Sequence, residues 1–354
     1  MAPDEWPIAA PSEEDGGYPA RPAGRRRLPT VRKDFFLDPR DRLTEQERAL
    51  MTAMLADLLQ AIADEIRAGL PPGFVAANDE DSQELLRELT TAGLLDHVEL
   101  ITALLRRADE ERISNAVRAR SAPKGGFLQA LIADDNDAVS SAAMALILAR
   151  GKRRDRLGQP RIEFEDLPEQ LAKSLAFVVA AALRQNVPGL AAKEGHLPFA
   201  SAANALLQGR DSAKAIDALC DRLVKVLTDT GTLDEQFLES AAEEGDIFFL
   251  AYALGERAGI GGAGAWDYLA DGDDGRLVLL LRLAGVSREF AARLLALLGD
   301  LVGIGDLGTE IARFDGMDQA QARSVREWLQ LDLPYRAALR AMEGNGGNSG
   351  DRAL

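Results

Sequence analysis

From residue 43 onward the apolar positions recur at three- and four-residue steps, a spacing that predicts one helix after another. Leu50, Met54, Leu58, Ile62 and Ile66 form the first stripe, which runs to Gly69; Pro71 and Pro72 then forbid continuation because proline lacks the amide a helix needs. The stripe opens on Thr44-Glu45-Gln46-Glu47, a capping box in which Thr44 accepts from the Glu47 amide and the Glu47 carboxylate reaches back. Shorter helices are predicted over 82–92, 96–107, 109–120, 124–133 and 136–149. In the second of these Asp96 is the N-cap, Glu99 completes a box, and Val98, Ile101, Leu104 and Leu105 face inward.

The pattern fails over 150–165, RGKRRDRLGQPRIEFE, where only Arg161-Ile162-Glu163-Phe164 alternates as a very short strand would. Helical spacing resumes over 168–185, with Pro168 at the first turn, and then over 199–207, 213–228, 235–244, 247–258, 276–284, 288–298, 307–314, 319–331 and 335–342. Helices joined by tight turns bury their stripes only against one another. The expected fold is all-α, with stacked helical hairpins in a HEAT-like or irregular solenoid or bundle. The expected organisation is a disordered tail over 1–36, a helical domain over 37–149, a basic linker over 150–165, a second helical domain over 166–343, and a disordered tail over 344–354.

Composition agrees with a helical reading: 47% of the 354 residues are hydrophobic but only 5% aromatic, and alanine and leucine dominate. The formal net charge of −16 repels a nucleic-acid backbone unless a local patch reverses it. A single cysteine, Cys220, excludes an internal disulfide, and His97 and His196 are too far apart for a zinc-type pair, so neither metal nor cofactor is expected. The first residues are acidic and proline-broken where a signal peptide would be basic and then apolar, and apolar runs such as 175–183 are too short for a membrane span. A cytoplasmic protein is expected.

Two glycine runs match a dinucleotide-binding fingerprint, GIGGAG from Gly259 and GIGDLG from Gly303. Such a loop must leave a β-strand, yet these follow the helical stretches LAYALGERA and LLALLGDLV. Gly93, Gly259, Gly285 and Gly303 each end a stripe and precede an aliphatic residue, which is the pattern of a helix C-cap.

Other candidates reduce to structure. His97 sits where a phosphoacceptor histidine would on a helical bundle, but no phosphotransfer motif surrounds it, so it reads as a helix-start residue, and His196 as a loop residue. In WDYLADGDDG, which holds Asp267, Asp271, Asp273 and Asp274, a calcium loop begun at Asp271 places Arg276 at the obligatory glycine and Arg282 at the obligatory glutamate. Cys220 lies at helical spacing with Ile216, Leu219 and Leu223, as a core residue does. The run 229–246 holds seven acids and no base, and reads as a solvated face or a receptor for a basic partner. In the N-terminal tail acids come first, then Arg21, Arg25, Arg26, Arg27, Arg32 and Lys33, either a solvated tail or an arm for an acidic surface.

The linker is the feature singled out. Arg150, Lys152, Arg153, Arg154, Arg156 and Arg161 stand against one acid, Asp155, and such a cluster either attracts carboxylates or phosphates or pairs internally with acids of the second half.

The segments LTEQERALMTAMLADLLQAIADEIRAGL, LLDHVELITALLRRADEERISNAVRAR, RRDRLGQPRIEFEDLPEQLAKSLAFVVAAALR and RLVLLLRLAGVSREFAARLLALLGD resemble those of an alphaproteobacterial group of helical proteins, a domain of unknown function related in style to HEAT-like repeats. The resemblance spans about 35–342, implies an all-helical fold, and carries no catalytic residues. The function expected is a non-enzymatic helical scaffold or adaptor whose partner is another protein. The alternative is a regulator that binds an anionic ligand or nucleic acid through the linker.

Overall fold

The computed structural model describes residues 43–71, 74, 82–91, 93–94, 97–120, 126–187, 195–270, 275–332, 335–336, 338–339 and 342, without the side chains at 82–84, 91 and 319. Both terminal tails, the Asp96 cap, Asp271, Asp273 and Asp274 lie outside these residues, and the helix over 335–342 lies only partly within them. The described residues form fifteen α-helices and no strand, an all-α fold in which neighbouring helices pair. No helix among them is long and apolar enough to cross a membrane.

Helix α1 (Glu45–Ala68) begins on the expected box: the Thr44 amide donates to Glu47 Oε2 at 2.7 Å and the Glu47 amide to Thr44 Oγ1 at 3.0 Å. Its stripe buries Met54, Leu58, Ile62 and Ile66, with Leu50 half-buried at the edge. Helix α2 (Ser82–Thr91) packs beside it.

Helix α3 (Val98–Arg120) corrects the expectation of two helices broken near 108. The charged run Asp109-Glu110-Glu111-Arg112 looks like a surface turn, but neither glycine nor proline interrupts the segment, and these side chains are ion-paired inside the protein rather than solvated. Helices α4 (Phe127–Ile132) and α5 (Asp137–Lys152) follow. Because α5 continues to Lys152, Arg150 and Lys152 are helical. The expected strand at 161–164 does not form. The chain makes a tight loop instead, with Asp155 N donating to Gln159 O and Arg161 N to Arg153 O, after which Ile162 turns into the core.

Helices α6 (Glu169–Gln185) and α7 (His196–Gly209) pair with each other and lie against α1. Helix α8 (Ile216–Asp229) then returns to pack on α5. The remainder is α9 (Glu235–Glu243), α10 (Ile247–Ala258), α11 (Gly262–Ala270), α12 (Arg276–Leu283), α13 (Arg288–Val302), α14 (Leu307–Gly316) and α15 (Gln319–Gln330).

Helix α11 has no counterpart in the sequence expectation, because two glycines within nine residues weaken its intrinsic preference. Tertiary packing overrides that preference. A Cβ on Gly262 would stand 2.0 Å from the Tyr252 ring, and one on Gly255 would stand 2.5 Å from the Gly261 carbonyl, so the glycines let α10 and α11 approach closely. The turn between them closes as a left-handed cap: Gly259 has φ of 73° and the Ile260 amide donates to Gly255 O at 3.0 Å. Gly303, at φ of 97°, closes α13 in the same way, with Ile304 N donating to Gly299 O at 2.8 Å. Both fingerprint-like runs are therefore helix-to-helix turns.

Two hydrophobic cores result, and they interleave in sequence. One joins α1, α2, the first half of α3, Ile162, Leu167, α6 and α7. The other joins Ile113 and Val117 of α3 with α4, α5 and α8 through α14, and α15 rests on it through half-buried Ala322, Val325 and Leu329. Residues 150–165 pass from one core to the other, with Leu146 in the second and Ile162 in the first, and α3 also runs through both, its charged middle lying at their seam.

Candidate functional site

Helix α3 crosses from one core to the other with Arg106, Arg107, Glu110 and Glu111 between its two apolar stretches, and the linker crosses the same seam. Charges inside a protein persist only when paired, and here each finds a partner remote in sequence. Arg153, whose side chain is 9% exposed, donates to Glu110 Oε1 at 3.1 Å and sets Nε 3.2 Å from Asp166 Oδ2. Arg154 grips Glu111 with Nη2 at 2.6 and 2.8 Å. Arg107 donates to the same Glu111 at 3.1 Å and, through Nε, to the carbonyl of Arg161 at 3.3 Å. Arg150 binds both oxygens of Asp246, and Arg161 lies 3.6 Å from Asp57.

The acceptors are themselves fixed. Asp166 accepts from the Ile216 amide at 2.8 Å where α8 begins, and the loop carrying it is clamped by Arg210, which donates to the carbonyls of Phe164, Glu165 and Leu167. Asp246 caps α10 by accepting from Phe249 N at 3.1 Å. Burial alone would raise the Glu110 carboxyl, but Arg107, Arg153, Arg150 and Arg106 outweigh it and hold the group at about 2. Burial does push Asp166 above the usual carboxylate range, Arg153 opposing it. Arg106, one turn before Glu110 on α3, has its own set of partners. Its guanidinium bonds Asp217 and the Tyr252 hydroxyl and lies 5.2 Å from the centre of the Phe248 ring, so that Asp217 and Tyr252 hold it charged against the cost of burial.

Of the linker residues singled out in the sequence, Arg150, Arg153, Arg154 and Arg161 are thus paired within the chain, while Lys152 and Arg156 are exposed and make no ion pair among the described residues. The partners come from α1, α3 and the segment after the linker as well as from the second half. Sequence reasoning missed Arg107, Glu110 and Glu111. The available signal was a base followed by acids three and four residues on, inside a helix whose other positions are apolar.

Three concavities border this network. A cavity of about 310 Å³ lies between the second half of α3, the start of α4, the end of α5 and the α9–α10 turn. A cleft of about 610 Å³ lies on the other side, with Val98, Ala103, Ile162, Ile216 and Phe248 in its walls and Arg106 and Asp217 among its charges. A groove of about 180 Å³ separates α5 from α8 and is bordered by Leu148, Lys152, Glu163, Glu165 and Lys214.

The acidic run 229–246 is largely consumed in packing. Asp234 caps α9, Glu235 accepts from Ser287 N at 2.6 Å, Glu239 pairs with Arg293, and Glu244 accepts from Phe127 N at 2.9 Å. Cys220 is fully buried, and burial pushes its thiol well above the ordinary range, as suits a core residue. His97 immediately precedes α3, and His196 is the first residue of α7 rather than a loop residue.

An all-α protein with two cores joined by a buried, charge-paired seam is the class that fold and site define. The sequence pattern of the family described as uncharacterised protein conserved in bacteria (DUF2336) matches residues 126–327, more than half of the chain, and the chain belongs to that family. No curated protein and no solved structure matches it.

Proposed function

We propose that this protein is a non-enzymatic helical scaffold or adaptor that seats an amphipathic helix of another protein on the outer face of α5. The observation that carries the reading is a pair of exposed apolar side chains four residues apart on that helix, Met144 at 40% and Leu148 at 63% exposure. Leu148 also forms the lip of the α5–α8 groove, whose floor includes Ile216 and Leu219. Leu157, 85% exposed, projects from the loop that follows α5. Residues spaced this way receive a helix that presents its own apolar stripe. The mouth of the groove is mixed in charge, Lys152 and Lys214 against Glu163 and Glu165, so recognition rests on apolar complementarity.

The test compares the wild-type chain with Met144→Glu combined with Leu148→Glu, each used to capture proteins from cells that express the native chain. Polypeptides retained by the wild type and lost by the double variant, with thermal stability unchanged, support the reading. Equal retention by both chains, or none by either, overturns it.

A further inference from the structure

The cavity of about 310 Å³ carries an inference independent of the docking face on α5. Five guanidinium groups reach it, Arg107 and Arg118 from α3 with Arg150, Arg153 and Arg154 from the end of α5, against four carboxylates. In a chain with formal charge −16, a concavity with excess positive charge stands out.

The guanidinium donors are only partly used. Arg118 bonds Asn115 through Nη2 at 2.7 Å and comes no nearer than 3.9 Å to Glu111, which leaves Nε and Nη1 without a hydrogen bond among the described residues. Glu111 already takes Arg107, Arg154 and Asn115, so one carboxylate answers three donors. The depressed Glu110 carboxyl agrees with that excess, since a largely buried acid is held below its ordinary value only where positive charge outweighs the cost of burial. One wall is rigid backbone. A Cβ on Gly245, at φ of 69°, would stand 2.8 Å from the Ser114 carbonyl and from Arg118 Cγ, so the α9–α10 turn is pressed against α3. Rigid walls, a volume at the lower end of the roughly 300–1,000 Å³ of small-molecule sites, and converging fork-shaped donors suit oxygen acceptors of an anion.

We propose that this cavity binds a small oxyanion, the phosphoryl or carboxylate group of a small molecule, with Arg118 and Arg154 as its outer contacts. Those two are the most exposed of the three guanidinium groups around Glu111, at 45% and 39%. A ligand that binds only the folded chain raises its unfolding temperature in a saturable way.

The experiment follows thermal unfolding and calorimetric binding of the full chain with inorganic phosphate, and separately with citrate, against sodium chloride at equal ionic strength. One saturable site is expected for at least one probe, weakened at least tenfold by Arg118→Gln and by Arg154→Gln, and unchanged by Lys152→Gln combined with Arg156→Gln. A response to phosphate alone assigns the phosphoryl source, and a response to citrate alone assigns the carboxylate source. No saturable response to either probe overturns the proposal. So does equal weakening by the Lys152 and Arg156 pair, which would mark diffuse attraction to surface charge. Arg118→Lys keeps the positive charge but removes the fork; retained folding with lost binding separates the site from a folding defect.

Discussion

Arg106 and Asp217 lie 111 residues apart in sequence and meet as a two-point pair, Nη1 to Oδ2 at 3.0 Å and Nη2 to Oδ1 at 3.1 Å. The pair fastens α3 to the first turn of α8, and the same guanidinium bonds the Tyr252 hydroxyl at 2.9 Å. Removing it leaves Asp217 without that partner and Phe248 with only one of its two cations, Arg153 at 5.5 Å from the ring centre. Arg106→Ala should lower unfolding stability by about 2–4 kcal/mol, whereas Asp217→Asn, which keeps one acceptor and the packing, should cost about half as much. Urea titration of both variants checks the order.

Glu110 supplies a pH dependence of definite sign. Its folded value of about 2 lies below the ordinary 4.5, so its contribution is fully present above pH 4.5 and is lost as pH falls toward 2. At pH 7 Glu110→Gln should cost about 3 kcal/mol by taking one of two carboxylates from Arg153, which keeps Asp166, and one of two from Arg107, which keeps Glu111. Between pH 4.5 and 2 the wild type should lose stability faster than the variant, and the two urea midpoints should converge. Parallel curves over that range would show that the carboxylate does not gain its charge stabilisation from this network.

How much of this was legible in the sequence varies with the range of the forces involved. The Thr44–Glu47 box and the Gly259 and Gly303 caps are local, decided within six residues, and sequence spacing is enough to find them. The continuity of α3 was not legible, because Asp109 through Arg112 look solvated until Glu47, Arg153 and Arg154 arrive from elsewhere in the chain. Arg150, Arg153 and Arg154 stood out as a cluster, but Glu110 and Glu111, which pair with Arg153 and Arg154, lie 43 residues upstream, and Asp246, which pairs with Arg150, lies 96 downstream, and no local rule pairs them. Nor does periodicity reveal that α6 and α7 join α1 in one core while α8 returns to α5 in the other.

The glycines of the GIGGAG run should separate by packing and not as a set. Gly262→Ala drives a methyl into the ring of buried Tyr252 and should cost about 3 kcal/mol. Gly264, also in α11, has nothing within 4 Å of an added Cβ, so Gly264→Ala should raise stability by about 0.5–1 kcal/mol through helix preference alone. Thermal unfolding of the two single variants reads the opposite signs; a phosphate-gripping loop would have no reason to treat them differently.

Asp246 holds two groups at once, the Phe249 amide at the start of α10 and the guanidinium of Arg150 at the end of α5. Asp234 performs only the first task, accepting from Phe237 N at 2.8 Å at the exposed start of α9. Both are aspartate N-caps, so a capping argument alone predicts the same loss, about 1 kcal/mol, for Asp234→Ala and Asp246→Ala. The structure predicts a difference, because Asp246→Ala also leaves Arg150 partly buried and unpaired, and the expected total is about 3–4 kcal/mol. Asp246→Asn divides the two tasks: the amide oxygen can still cap α10, while the charge that neutralises Arg150 is gone. Its cost should therefore fall between the two alanine variants, and coupling with Arg150→Met should abolish most of what remains. A double-mutant cycle over Asp246 and Arg150 measures that coupling directly, and a value near zero would mean that the seam is held by apolar contact and not by its charges.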